Sequence, residues 1–151
     1  MTLQPGSMLR GRYQIESIIA QGGMGAIYRA VDTALNVTVA LKENLFAEEV
    51  AIRQFRAEAQ ILAGLRHPNL PRVTDHFEIE NQGQYLIMDF IGGEDLKDIL
   101  NTKGVLTEDE VIKIGIAICD ALDYLHRRTP PVVHRDIKPG NVKFSSTGVV
   151  H

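Results

Sequence analysis

"HRDIKPGN", residues 134–141, decides how this chain is read. The stretch offers a carboxylate at Asp136, an ammonium two residues later at Lys138 and an amide at Asn141. Asp136 could take the proton of an attacking hydroxyl, Lys138 could offset charge on a phosphoryl group in transfer, and the amide oxygen of Asn141 could bind magnesium. A histidine or an aspartate met alone in such a loop is more often a core or turn residue. The functional reading therefore needs other parts of the chain to supply what the loop lacks.

A phosphate needs further positive charge and unobstructed backbone, and the first half of the chain has candidates for both. "VTVALKE", residues 37–43, reads as a strand whose side chains alternate, with Val37, Val39 and Leu41 on one face and Thr38, Ala40 and Lys42 on the other. Ala40 leaves room for a flat ring, and Lys42 places an ammonium beyond it. Residues 48–65 carry apolar side chains at Ile52, Phe55, Ala59, Leu62 and Leu65, the spacing of an amphipathic helix, with Glu48 and Glu49 in its first turn. Glu58 falls on the same inward face, where an ionised carboxylate is costly unless a cation meets it, so Lys42 is its expected partner. Upstream, "QGGMG", residues 21–25, lies between two strand-like runs, "RYQIESIIA" and "AIYRAVD". Gly22, Gly23 and Gly25 suffice for a tight turn, and beside Lys42 they would also let backbone amides approach a polyphosphate.

Two further strands, "RVTDHFEI" and "QYLIMDFI", are joined by a polar turn at residues 81–83. After Gly92 and Gly93 the pattern changes to helix, short in "GEDLKDILN" and long in "LTEDEVIKIGIAICDALDYLHRR". Thr107 and Glu110 open the long one at capping-box spacing. Its stripe of Val111, Ile114, Ile118, Leu122 and Leu125 asks for a partner surface. Cys119, the only cysteine, is expected there as a small buried hydrophobe. With 44% hydrophobic and 23% charged residues the composition is that of an ordinary globular domain. The net charge of −3, spread along the chain, gives no footprint for nucleic acid. The most apolar run, "VIKIGIAICDALDYL", is interrupted by Lys113, Asp120 and Asp123, so no membrane segment is expected within these residues. A cytoplasmic location is expected, an anchor beyond residue 151 staying open, and the oligomeric state is not legible.

The glycine turn, Lys42, Glu58 and the 134–141 loop, in that order, resemble the protein kinase family, and specifically its serine/threonine branch of bacterial type, from about residue 12 to the last. "IAQGGMGAI" looks like the glycine-rich loop, "VALK" like the strand bearing the phosphate-anchoring lysine, and Glu58 like that lysine's helical partner. The lysine two places after Asp136 is similar to the serine/threonine rather than the tyrosine branch. The resemblance implies an α+β, protein-kinase-like fold: an antiparallel five-stranded N-lobe sheet with one helix of the αC type, then an incomplete, mainly helical C-lobe. Residues 1–11 would be an N-terminal extension, 12–91 the nucleotide-binding N-lobe and 92–151 a partial C-lobe with the catalytic loop.

ATP and Mg2+ are the implied cofactors, and a serine or threonine hydroxyl of a protein the implied acceptor. Asp136 would orient and deprotonate that hydroxyl, Lys138 and Lys42 would offset phosphate charge, Glu58 would hold Lys42, and Asn141 would contact the metal. Ile19, Ala20, Gln21, Gly22, Gly23, Met24, Gly25, Ala26 and Ile27 would cover the nucleotide. By the same resemblance Ala40 belongs to the pocket roof, Met88 is the gatekeeper, the backbone of Asp89 and Ile91 meets the adenine edge, and Asp95 meets the ribose. Two residues depart from the pattern. Ala20 stands at the first glycine position, and Lys143 stands where many relatives have an apolar residue under the adenine, so that its methylene stem would supply the floor. In the family an Asp-Phe-Gly motif follows soon after the loop. The sequence stops before it, so the expectation for these 151 residues alone is weak or no turnover, with a non-catalytic nucleotide- or partner-binding module as the alternative.

Overall fold

A computed structural model describes residues 3–22, 25–45, 48–80 and 82–151. Six strands form one sheet: β1 (Met8–Leu9), β2 (Tyr13–Gly22), β3 (Gly25–Asp32), β4 (Val37–Asn44), β5 (Val73–Ile79) and β6 (Gly83–Asp89). Their order is β1-β2-β3-β4-β6-β5, and every neighbouring pair is antiparallel. Helix α1 (Glu49–Ala63) lies between β4 and β5 in the chain, and α2 (Leu96–Lys103), α3 (Glu108–His126) and a 3-10 turn at Pro139–Asn141 follow the sheet. The chain divides into two compact units, residues 1–65 with 72–90 and residues 66–71 with 91–151.

The sheet has six strands, one more than the five expected, because the segment before Tyr13 joins it. Arg10 and Gly11 take positive φ values of 51° and 64°, turning the chain back so that Leu9 pairs with Tyr13. The edge is extended by bonds from the Gly6 amide to the Ile15 carbonyl and from the Ile15 amide to the Ser7 carbonyl. Leu9 is buried in the core, and that burial is what recruits the segment. A two-residue strand is too short to carry a period-2 signal, which is why pattern alone did not disclose it.

Alternation then builds the core of the first unit. Tyr13, Ile15, Tyr28, Ala30, Val39, Leu41, Tyr85 and Ile87 meet on one face of the sheet. Phe77 of β5 stacks on Tyr13 of β2 at 5.7 Å between ring centres and on Tyr85 at 5.5 Å. β2 and β5 are far apart in strand order, so these stacks require the sheet to curl around its core. On the opposite face, Phe55 and Ala59 of α1 pack against Val73 and Leu86. Leu41 and Ile87 are wholly shielded, each worth about 1.5–3 kcal/mol of burial. Arg12 grips Asp32 with both ends of its guanidinium, Nε to Oδ1 at 2.9 Å and Nη2 to Oδ2 at 2.7 Å. Those bonds, with help from the Ala34 amide, hold the Asp32 carboxyl below the usual range.

In the second unit, α3 opens as its sequence requires. Thr107 Oγ1 accepts from the Glu110 amide, and Glu110 Oε2 accepts from the Thr107 amide at 2.9 Å. Its apolar stripe is only partly covered: Ala121 and Leu125 are buried, whereas Val111 is 54% exposed. Cys119 is exposed, against expectation. It stands two residues from Ala121, about 200° around the helix, and so faces away from the covered side. The 66–71 segment is tied to α3 by the Arg66 amide donating to the Tyr124 hydroxyl at 2.9 Å and by His67 Nε2 with Asp120 Oδ2 at 3.1 Å. Residues 143–151 double back, Lys143 and His151 exchanging both backbone bonds around a turn with Gly148 at φ 81°. The Phe144 amide donates to the Glu94 carbonyl, and a Cβ on Gly93 would run into the Phe144 carbonyl oxygen. Among the described residues no helix is long and apolar enough to cross a membrane.

Two measurements check this account. Ile87→Ala should lower the unfolding free energy in urea by about 2–5 kcal/mol, while Leu35→Ala, at a 66% exposed turn position, should change it by less than about 0.5 kcal/mol. Asp32 has a depressed carboxyl in the folded chain, so its contribution is complete above the unfolded value of about 3.9 and disappears as pH falls through the lower folded value. The melting temperature should therefore drop below about pH 4, and Asp32→Asn should make that part of the drop shallower while lowering the midpoint at pH 7.

Candidate active site

The first unit places part of its candidate residues around a cavity of about 710 Å3, lined by Gly22, Gly25, Ile27, Lys42, Phe55 and Glu58 among others, whereas Ile19, Ala40, Met88 and Asp89 are not in its lining. β2 and β3 are joined across Gly22 and Gly25, which pair with each other. Gly25 sits at φ 143°, and a Cβ there would collide with the Glu43 carbonyl oxygen, so only glycine lets the turn lie this close to β4. Lys42 follows the alternation of β4: Val39 and Leu41 enter the core, while Ala40 and Lys42 take the other face, and Lys42 reaches the cavity. Ala20, Gln21 and Ala26 also line it, Ala26 being part of the core as well, and Ile19 is 44% exposed on β2. Gly23 and Met24 lie outside the described residues.

Glu58 corrects one expectation. It lines the same cavity as Lys42 but is exposed rather than inward, and among the described residues no ion pair joins the two. The ion pairs of α1 are instead Arg53 with Glu49 and Arg56 with Glu78. The helix turns Phe55 and Ala59 inward, and Glu58, about 60° around from Phe55, falls on the flank of that face. The cavity side of α1 is formed by Ala51, Gln54, Phe55 and Glu58. That is the i, i+3, i+4, i+7 spacing of a single helical stripe, a signal from which Ala51 and Gln54 could have been named.

Met88 pairs in register with Ala40 and packs, half-buried, beside Phe55 and Leu86. The Asp89 amide donates to the Arg72 carbonyl at 2.9 Å, and its carboxylate accepts from the Arg72 amide. Its amide is therefore committed, and any adenine contact of Asp89 falls to its carbonyl.

The second unit gathers two of its candidates on the carboxylate of a third, Asp136. Lys138 Nζ lies 3.0 Å from Asp136 Oδ2, and Asn141 Nδ2 donates both to Asp136 Oδ2 at 2.8 Å and to the Asp136 carbonyl at 2.9 Å. Local backbone makes this possible: Arg135 adopts a left-handed φ of 67°, and the 3-10 turn at Pro139–Asn141 brings Asn141 back over the aspartate. The bonds from Lys138, and after them Asn141, hold the Asp136 carboxyl below its ordinary value, so it is an ionised acceptor at neutral pH. Because Asn141 spends its NH2 group on Asp136, its Oδ1 remains as a hard oxygen acceptor, the donor type that suits magnesium. His134 Nδ1 accepts from the Asp136 amide at 3.4 Å, a weak contact.

Ile91 is half-buried. Asp95 caps α2, accepting from the Asp98 amide at 2.9 Å, so one carboxylate oxygen has a structural duty. Lys143 forms a backbone bridge with Asp95. This geometry carries its own test: Asn141→Ala removes two donors and should raise the Asp136 pKa, read by carboxyl NMR titration. An unchanged titration would mean that the contact does not form in solution.

Comparison with known proteins agrees with these features. The family model for the protein kinase domain matches residues 13–151. A probable serine/threonine-protein kinase PknB of Lactococcus lactis is 38% identical over 152 residues, covering 98% of this chain and 24% of that protein. A PknB of Bifidobacterium longum is 34% identical over 160 residues, covering 99% and 23%. PknA of Mycobacterium tuberculosis is 36% identical over 157 residues, covering 99% and 36%. The chain thus spans about a quarter to a third of the length of these relatives. Among solved structures, the Mycobacterium tuberculosis PknI kinase domain superposes with a TM-score of 0.80 at 28% identity, over 99% of this chain and 61% of that one. The glycine turn beside Lys42, the Asp136–Lys138–Asn141 cluster and the match over residues 13–151 have one explanation, and the chain belongs to the protein kinase family.

Proposed function

We propose that this chain is the ATP-handling part of a serine/threonine protein kinase, which moves the γ-phosphoryl group of ATP to a serine or threonine hydroxyl of a protein. The observation that carries it is the clustering of Lys138 and Asn141 on the Asp136 carboxylate. An ionised, exposed carboxylate can accept the proton of an incoming hydroxyl, and the adjacent ammonium can offset negative charge on the group being moved. The relatives' names as serine/threonine-protein kinases support the same class.

In the first unit the glycine turn gives phosphates access to backbone amides, and Lys42 supplies a positive charge at the same cavity. Ala20, Gln21 and Ile27 lie along the cavity's covering strands, and Ala40 with Met88 keeps the neighbouring sheet surface apolar for a flat ring. Glu58 contributes a carboxylate on the opposite wall, and its pairing with Lys42 belongs to the nucleotide-bound state in this proposal. In the second unit, Ile91, Asp95 and Lys143 are the candidates for adenine and ribose contact. Asn141 Oδ1 would hold magnesium, which when bound neutralises phosphate charge. Among the described residues no group of three or more His, Cys, Asp or Glu side chains could hold a metal ion.

Calorimetric titration with magnesium and ATP checks the binding half. Lys42→Met should weaken binding by on the order of ten- to a hundredfold, the worth of one charge-assisted hydrogen bond. Asp136→Asn should leave binding within about threefold and lower transfer to a protein acceptor by about 10²–10⁴-fold in this chain or a longer one containing it. Transfer that survives Asp136→Asn, or ATP affinity indifferent to Lys42, would reject the assignment.

A further inference from the structure

β4 carries both Lys42 and Glu43 past the cavity, which each of them lines, but Glu43 is only 3% exposed and its carboxylate is held within the protein. A buried carboxylate ordinarily needs a cation. Among the described residues Glu43 has none. Its Oε2 accepts instead from the Tyr28 hydroxyl at 2.6 Å, and its Oε1 from the Tyr85 hydroxyl at 3.3 Å. The Tyr28 hydroxyl in turn accepts from the backbone amide of Leu3 at 3.0 Å, so a relay of three groups runs from the N-terminal segment to the residue after Lys42. Tyr28 is wholly buried and Tyr85 is 1% exposed, which denies the relay any substitute bond from water.

The place of this relay in the sheet gives it a purpose. The ladder between β3 and β4 ends at the pair Ile27–Lys42, whereas that between β4 and β6 continues through Glu43–Tyr85 and Asn44–Gln84. Beyond Lys42, therefore, β4 is held to β6 by backbone pairing but to β3 by the Tyr28–Glu43 bond. Past that point lies the glycine turn, with Gly25 seated against the Glu43 carbonyl. The side-chain bond stands where the ladder stops, between the lysine and the turn that line one cavity.

We propose that Tyr28 and Glu43 are positioning residues: through their buried bond, steadied by the Leu3 amide, they hold Lys42 and the glycine turn at the separation that nucleotide binding uses. The nucleotide part of this statement rests on the proposed function above; the mechanical part does not. Residues 3–9 become a handle on the site, since a change that lifts Leu3 from Tyr28 loosens the hold on Glu43 although neither Leu3 nor Tyr28 lines the cavity.

The test uses the full chain with Tyr28→Phe, which removes one hydroxyl and keeps the ring, and Ile15→Val as a core control whose loss of stability in urea is matched by choice of temperature. Amide hydrogen exchange without nucleotide should rise at residues 25–27 and 42–44 by about tenfold in Tyr28→Phe and not in the control. The dissociation constant for magnesium and ATP should rise by about five- to tenfold in the same variant alone. Leu3→Pro, which deletes the amide donor, should give the same pattern at reduced size. If Tyr28→Phe does not fold, Glu43→Gln, which keeps the side chain's shape and one acceptor, takes its place in both measurements. Exchange at these residues no faster than in the matched control would overturn the relay, whatever the affinity. Should the unaltered chain bind no ATP while exchange behaves as expected, the functional assignment fails and the mechanical role stands.

Discussion

The two-faced nature of a strand is the constraint on which this molecule depends. β4 cannot show Lys42 to a ligand without sending Leu41 and Glu43 the other way, and both are buried in the first unit's core. Chemistry on one side and cohesion on the other are thus the same seven or eight residues seen from two directions. A core that shifted would move the lysine with it. The aromatic stacks of Tyr13, Phe77 and Tyr85 close the sheet around that core and hold the charged side steady.

The loop at residues 134–141 solves a different problem, that of presenting an acid at the surface without letting it wander. Asp136, Lys138 and Asn141 are all exposed, so burial does little to fix them. Backbone geometry does the work: a left-handed residue at Arg135, an extended Lys138 and a 3-10 turn at Pro139–Asn141 leave Asn141 folded back onto the acid it supports. The bonds from the ammonium and the amide favour the ionised form, which an aspartate already holds at neutral pH.

Much of this was legible in advance, and the exceptions have physical causes. Alternation placed Lys42 and Ala40 on the right face, Thr107 and Glu110 announced the start of α3, and the glycines at 22 and 25 marked the junction of β2 and β3. Glu58 was harder because a helical face has flanks: a residue about 60° around from Phe55 is inward by spacing and outward by contact. Cys119 was expected inside from the apolar helical pattern around it, whereas the covered side proves to be that of Ala121, about 200° around the helix. β1 was missed because two residues carry no period. Glu43 could have been noticed, since the alternation that sends Lys42 out sends its neighbour in, but nothing local says that two phenols wait there.

Gly93 is a small feature with a long reach. Its missing side chain is the gap into which the Phe144 carbonyl fits, so two stretches fifty residues apart in sequence meet at a point with no room for a methyl group. Glu94 beside Gly93 has an exposed side chain that can be recharged, while its carbonyl holds the Phe144 amide. Position 93 is a keyhole: fill it, and the hairpin at residues 143–151 must seat itself elsewhere.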